Sequence, residues 1–533
     1  MLDLTALPHD RSDYLRTLVL LLVSLLGTFF MDQLLKGLPI YETFYEGVAA
    51  VNLAGRLNGT RIVSYFLLGL GCIVLDRWRG IGLGELPAEA RALLIMAVGL
   101  QMYTIGLLDY NHYYNNWMVA DRLLLVGLGV LAIVRPLYLP IFLIDLVLLT
   151  GQLRQPDLIG YDHVHKYIFP HILALAWCFL VASRFVRIRE PYYLLVPLMM
   201  APLSLWYIMG GIGKLELDWP SQNSLYNLFA AALDAGWLAG WSQGTKLFLA
   251  DFLVTFQQPM LWSTIVLEIL LPPLLFVNRP TAIAVSLTLM IFHLFVYLFS
   301  GILFWQWSLL ELVFIYFLVF RRQDVAPLFS WRSRGVYWLT LLLLPLAVHI
   351  GKLAWYDCGF INHYAFFLVN DRGEETELDA TYFSPYDTGF AKNRFYFLTH
   401  EKTLANTYGQ CDDVSLLGLL RDWSSRSAED NQTLLDDFRN QAGMERYDEA
   451  DAKEFLAFLT SFISNKNAYD PELISLLAVP PHMQQGPNQR NLHKAGLHHL
   501  KVVYREKVIL PGLRYQTVAQ DSFSLSLTPP QAP

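Results

Sequence analysis

Long apolar runs separated by short polar turns fill the first two-thirds of the chain. About 20 apolar residues cross a bilayer as a helix. The runs predict spans at Tyr14–Leu35, Arg61–Leu75, Ala90–Leu108, Arg122–Val134, Leu137–Leu153 and Tyr167–Ser183. They continue at Tyr192–Met209, Leu261–Val277, Thr281–Ser300, Ile302–Phe320 and Val336–Ile350. Several runs are short and Leu247–Pro259 is ambiguous, so about nine to eleven transmembrane helices are expected.

Near Gly351 the pattern changes. Asn362–Phe397 reads as strands and turns, with Asn370-Asp371-Arg372-Gly373 as a turn signal. Asp412–Asn465 reads as helical, because Leu434, Phe438, Phe455, Phe458, Leu459 and Phe462 recur near the helical period. Leu500–Arg505 and Val508–Leu510 suggest a closing hairpin. The expected fold is an α-helical polytopic membrane domain, residues 1–350, followed by a soluble α+β domain, residues 351–533.

Composition supports the membrane reading. Of 533 residues, 54% are hydrophobic and only 16% charged, where soluble domains carry about a quarter charged residues. A net charge of -7 offers no basic surface for nucleic acid. Arginines alternate in density between successive turns: Arg77, Arg79, Arg184, Arg187, Arg189, Arg321 and Arg322 fall on one side with Arg11 and Arg16. Positive residues stay cytoplasmic, so the N-terminus is expected inside and the C-terminal domain outside, in a periplasmic or lumenal space. The four cysteines have no metal-type spacing, and no metal is expected. Cys358 and Cys411 could pair only in an oxidising compartment. Asn58-Gly59-Thr60 and Asn431-Gln432-Thr433 match the short glycosylation sequon.

Candidate chemistry concentrates on the outer side. Gly210-Gly211-Ile212-Gly213-Lys214-Leu215-Glu216-Leu217-Asp218-Trp219 follows an apolar run. Two readings are open for Lys214. It is an interfacial anchor that snorkels beside Trp219 and pairs with Asp218 at i,i+4, or a shielded lysine used as a base. Tyr161-Asp162-His163-Val164-His165-Lys166-Tyr167 puts histidines at the mouth of a span, with His171 nearly two turns on. They are either solvated at the interface or aimed at a cavity. His293 and Glu268 are ionisable residues inside apolar runs. Such residues usually face a bundle interior, and Glu268 would pair with His293 or an arginine.

The segment Gly211–Trp219 resembles the lysine motif of the vitamin K-dependent gamma-carboxylase family, which overlaps the bacterial horizontally transferred transmembrane (HTTM) proteins. His165-Lys166-Tyr167-Ile168-Phe169 and Phe292-His293, with Leu298-Phe299-Ser300 beyond, resemble the family's flanking histidine segments in the same order. The resemblance covers roughly Ile141–Phe320. Gly213 stands where the family has a second lysine, and the tail shows no match. The resemblance implies a membrane enzyme that couples oxidation of a reduced vitamin K-type naphthoquinone by O2, with epoxidation, to proton abstraction and CO2 addition at a glutamate. It implies Lys214 as the base, His165 as a hydrogen-bonding catalytic group and His293 as a lining residue of the quinone cavity. Its partners would be membrane lipid, the lipid-soluble quinone and a peptide or protein substrate at the outer face. The competing expectation is a non-enzymatic transporter, or a scaffold whose tail binds partners.

Overall fold

The computed structural model describes residues 9–38, 59–106, 118–152, 163–322, 325–370, 372–383, 395–399, 409–411, 414–442, 447–468, 479–480 and 497–526. The helices of the first part are α1 (His9–Lys36), α2 (Gly59–Arg79), α3 (Ala88–Gly106), α4 (Met118–Val134) and α5 (Leu139–Gln152). They continue as α6 (His163–Ser183), α7 (Leu195–Glu216), α8 (Trp219–Gln222), α9 (Leu225–Asp234) and α10 (Gln243–Thr255). The last four are α11 (Gln257–Leu270), α12 (Arg279–Ser300), α13 (Trp305–Phe320) and α14 (Trp331–Ala347).

Each expected apolar run falls on one of these helices. Among the described residues, five helical segments are long and apolar enough to cross a membrane: Ser12–Lys36, Gly59–Arg79, Ala88–Gly106, Pro191–Glu216 and Arg279–Ser300. Pro136–Thr150, Ile168–Ser183 and Trp305–Phe320 are shorter apolar helices. The ambiguous stretch is α10. With α11 it forms an apolar pair bent by 72° near Phe256. Pro259 in the first turn of α11 fits that break, because proline is tolerated there and not in a helix interior.

α7 holds the centre, packed against α6, α11 and α14. It is buried along most of its length, from Leu195 to Tyr207. It also runs further than its apolar pattern, through Gly210, Gly211 and Gly213 to Glu216. The expected span ends at Met209. Glycine costs about 1 kcal/mol in a helix interior, and packing offsets that cost here. A Cβ on Gly211 would lie 2.6 Å from Ile269 Cγ1 of α11, and one on Gly213 would lie 2.9 Å from Lys352 Cβ. The glycines let α11 and the tail approach the helix backbone.

The tail carries β1 (Tyr356–Asp357), β2 (Phe360–Asn370), β3 (Glu375–Leu378), β4 (Gln410–Cys411), α15 (Val414–Arg421), α16 (Ala428–Ala442), α17 (Glu449–Ala468), β5 (Leu497–Leu510) and β6 (Arg514–Ser526). Four strands form an antiparallel sheet in the order β3-β2-β5-β6, and β1 pairs with β4. The turn at Asn370–Gly373 joins β2 to β3 as expected. The expected closing hairpin differs: Leu500–Arg505 and Val508–Leu510 are one continuous strand, and its partner is β6. The turn falls at Pro511–Leu513, where Gly512 takes φ 76°. Phe455, Phe458, Leu459 and Phe462 face the core from α17, whereas Leu434 is exposed and Leu435 is buried in its place. Cys358 and Cys411 are buried thiols. Asn431 is buried with its amide donating to the Trp423 carbonyl at 2.7 Å, so its sequon is not presented to solvent. Asn58, of the other sequon, lies outside the described residues.

Candidate functional site

Lys214 occupies the last turn of α7. Its Nζ donates to both carboxylate oxygens of Glu268 on α11, at 2.8 and 2.7 Å, and reaches the Leu353 carbonyl at 3.3 Å. The two side chains are 13% and 9% exposed, so the ion pair is shielded from water. This corrects two expectations. Glu268 pairs with Lys214 rather than with His293 or an arginine. Asp218 does not pair with Lys214, because the helix stops at Leu217 and Asp218 turns left-handed at φ 50°. Its carboxylate accepts from Ser221 instead. The i,i+4 geometry needs a helix that continues through position 218.

Lys214 folds back along α7. A Cβ at Gly210 would lie 3.7 Å from Lys214 Nζ and 3.6 Å from Glu268 Oε2. Both are ordinary contact distances, so the ion pair packs beside Gly210 with room for a methyl group. Trp219 flanks it, with its ring centroid 5.6 Å from Nζ.

The ion pair lines one part of a cavity of about 560 Å³ whose walls come from α7, α9, α10, α11, α12, the start of α13 and the tail segment Leu353–Asp357. Its surface is mainly apolar, with Phe252, Leu253, Met260, Leu267, Ile291 and Phe299 among the lining residues. His293 lines the same cavity from α12. It is 5% exposed. His293 Nε2 hydrogen-bonds Tyr207 Oη, and that hydroxyl also donates to Glu311 Oε1 at 2.8 Å. Phe304 and Trp307 pack against the imidazole with centroids at 5.0 and 5.8 Å.

The tail is part of the site. Trp219 Nε1 donates to the Trp355 carbonyl at 3.0 Å, and Tyr356 Oη donates to the Leu217 carbonyl at 2.7 Å. Lys352 pairs with Glu216 at 2.5 Å. Asp357 lines the cavity and accepts from Asn223 Nδ2 at 2.7 Å and Trp355 Nε1 at 3.0 Å. Burial pushes its carboxyl up to about 7, opposed by those two hydrogen bonds and by the charge of Lys214.

The structure therefore brings Lys214 and His293 together. His165 sits in the first turn of α6, and its side chain lies outside the described residues. His171, further along α6, faces Asp32 of α1 at 3.4 Å, and Asp32 holds Lys36 at 2.6 Å. That cluster is separate from the cavity lining. Sequence reasoning missed Tyr207, Glu311 and Asp357. Glu311 carries the signal that flagged Glu268, an acid inside an apolar run. Tyr207 stands seven residues before Lys214, which places both on one helix face. Asp357 carries no such signal, since it follows the apolar runs.

The chain matches no family model, no curated protein and no solved structure.

Proposed function

We propose that this chain is an integral membrane enzyme that binds a reduced naphthoquinone in the cavity beside Lys214. In this reading it couples quinol oxidation by O2 to removal of a proton from a glutamate substrate and addition of CO2, as its resemblance to the vitamin K-dependent gamma-carboxylases suggests. One observation carries the proposal. Lys214 and His293, which the resemblance marks as base and cavity residue, line one apolar cavity from different helices.

The residues suit such a ligand. The walls are apolar and aromatic, with polar groups confined to a few positions, as in sites for hydrophobic cofactors. Trp206 lines the cavity, and its indole N–H is buried with no hydrogen-bond partner among the described residues. A quinol bound there would supply an acidic ring hydroxyl and the electrons that O2 takes up. Lys214 takes the hydroxyl proton at Nζ while passing one of its own to Glu268, 2.7 Å away. The ammonium stays in place to face the anion left behind, and the carboxylate becomes a carboxylic acid, so the net charge of the site does not change. The apolar walls keep water from that anion. His165 stands at the family's other catalytic position and belongs to the same proposal.

Large apolar side chains on the outer surface, among them Phe66, Leu294, Phe320, Leu342 and Leu346, support placement in a bilayer. The tail packs on the Lys214 end of α7. With the arginine distribution, this favours a cytoplasmic N-terminus and an outer-facing tail within reach of a peptide substrate.

The test is O2-dependent oxidation of a naphthoquinol by purified protein in nanodiscs. Wild type is expected to oxidise it, and Lys214→Ala and the double variant Lys214→Met/Glu268→Leu are expected to fold and be inactive. Oxidation at the wild-type rate by the folded double variant overturns the base assignment. Absence of oxidation by wild type overturns the enzymatic reading and leaves the transporter or scaffold.

A further inference from the structure

A second cavity, of about 310 Å³, lies away from the Lys214 site, where three helical segments begin. Asp13 and Tyr14 line it from the start of α1. Arg189, Glu190 and Tyr193 line it from the turn that leads into α7, and Ser330, Trp331 and Arg332 from the start of α14.

Four charged side chains share this space: the acids Asp13 and Glu190, and the arginines Arg189 and Arg332. The side chains of Asp13, Arg189 and Glu190 take no hydrogen bond or ion pair among the described residues. Arg332 is anchored. Its Nη2 donates to the Arg189 carbonyl at 2.5 Å and to the Glu190 carbonyl at 3.4 Å. Those bonds tie α14 to the turn and hold Glu190 in a left-handed conformation at φ 49°, which a residue with a Cβ adopts only at a cost. Arg332 Nε and Nη1 remain as donors.

The balance of charge says what fits. A lone anion would meet two carboxylates, and a lone cation would meet two guanidinium groups. A zwitterion offers each pair its opposite. Its positive end must carry N–H groups, because the carboxylates are acceptors and a trimethylammonium has nothing to donate.

The position in the fold says where such a ligand comes from. The apolar segments Ser12–Lys36 and Pro191–Glu216, both long enough to cross a bilayer, begin at this cavity. In a bilayer the cavity therefore sits at headgroup depth. Tyr14 and Trp331, 49% and 68% exposed, are the residue types of that layer. Beyond them α1 and α14 carry exposed Leu18, Leu22, Leu339 and Leu342, an apolar surface for acyl chains.

We propose that this cavity binds the headgroup of a phosphoethanolamine lipid. The phosphate lies against Arg189, Arg332 and the start of α14, a helix end that favours anions. The primary ammonium lies against Asp13 and Glu190. The inference needs the chain to sit in a bilayer and is independent of the quinol reading.

The experiment titrates the full chain in detergent micelles with dihexanoyl lipids bearing phosphoethanolamine, phosphocholine or phosphoglycerol headgroups, and reads the first bound lipid by native mass spectrometry. Wild type is expected to bind the ethanolamine lipid about tenfold more tightly than the other two, the scale of one charge-assisted hydrogen bond. Asp13→Asn/Glu190→Gln leaves the arginines in excess. It is expected to lose that preference and to bind the phosphoglycerol lipid at least as tightly as the ethanolamine lipid. Arg189→Gln is expected to weaken all three lipids by a similar factor, about tenfold, because they share the phosphate. The replaced side chains have no recorded partner to lose, so the wild-type unfolding midpoint is expected in each variant. Should the double variant not fold, either acid replaced alone reads the same loss of preference. Phosphoethanolamine without chains is expected to bind at least about tenfold more weakly than the lipid, since each buried methylene adds to the lipid's binding. Equal binding of the two overturns the lipid as occupant. Equal affinity for all three lipids in wild type overturns the zwitterion site, and a preference for the choline lipid overturns the primary ammonium. An ethanolamine preference that survives in the folded double variant overturns the assignment to this cavity.

Discussion

Removing either partner of the Lys214–Glu268 pair should cost far more than removing both. The pair is 13% and 9% exposed and bonded at 2.7 and 2.8 Å. Lys214→Met leaves the Glu268 carboxylate with no cation among the described residues, and Glu268→Leu leaves a shielded ammonium whose remaining hydrogen bond is to the Leu353 carbonyl at 3.3 Å. Breaking a buried pair in this way costs about 3–5 kcal/mol, whereas an apolar pair of similar volume is often neutral. The double variant Lys214→Met/Glu268→Leu should therefore lie within about 1 kcal/mol of wild type, giving a coupling energy of about 3 kcal/mol or more. Unfolding by SDS in mixed micelles measures all four corners of this cycle. Single-variant losses that add to within about 0.5 kcal/mol in the double variant would refute the reasoning, because independent sites behave that way.

Two further outcomes follow from the same region. Gly211→Ala puts a Cβ 2.6 Å from Ile269 Cγ1 and 3.2 Å from Glu268 Cβ, so it should destabilise by about 1–3 kcal/mol, with partial recovery when combined with Ile269→Ala. Gly210→Ala meets nothing closer than 3.6 Å and should cost less than about 1 kcal/mol; equal losses at the two glycines, read by the same unfolding assay, would contradict the packing argument. The Asp357 carboxyl, pushed up from 3.8 to about 7, keeps a proton in the folded chain that the unfolded chain has already released. Stability should fall as pH rises from about 4 to about 7, by at most about 1.4 kcal/mol per unit. Thermal unfolding against pH should show this slope in wild type and not in Asp357→Asn, and a wild-type slope in that variant would remove Asp357 as its source.

Much of the fold is legible in the chain because helices and strands print their periods locally. The apolar runs locate the helices, and the turn at Asn370–Gly373 announces itself through residue types that favour turns. The site is less legible. An isolated lysine after an apolar helix gives its position but not its partner, and the nearest acids in sequence, Glu216 and Asp218, are the wrong ones. Glu268 is 54 residues away in the chain and reaches Lys214 because α11 packs against the glycines of α7. The hairpin was misplaced for a related reason: β5 is one long strand whose length is set by pairing with both β2 and β6.

The sequence by itself determines that this is a largely helical, strongly apolar chain with an α+β tail, and that Lys214, Glu268 and His293 are ionisable groups in apolar surroundings. These are properties of composition and of spacing along one segment. Which charges meet, that His293 reaches Glu311 through Tyr207, and that Asp357 of the tail completes the cavity wall were decided only by tertiary structure. Ion pairs and hydrogen bonds act over about 3 Å, and helix packing alone sets which distant residues come that close.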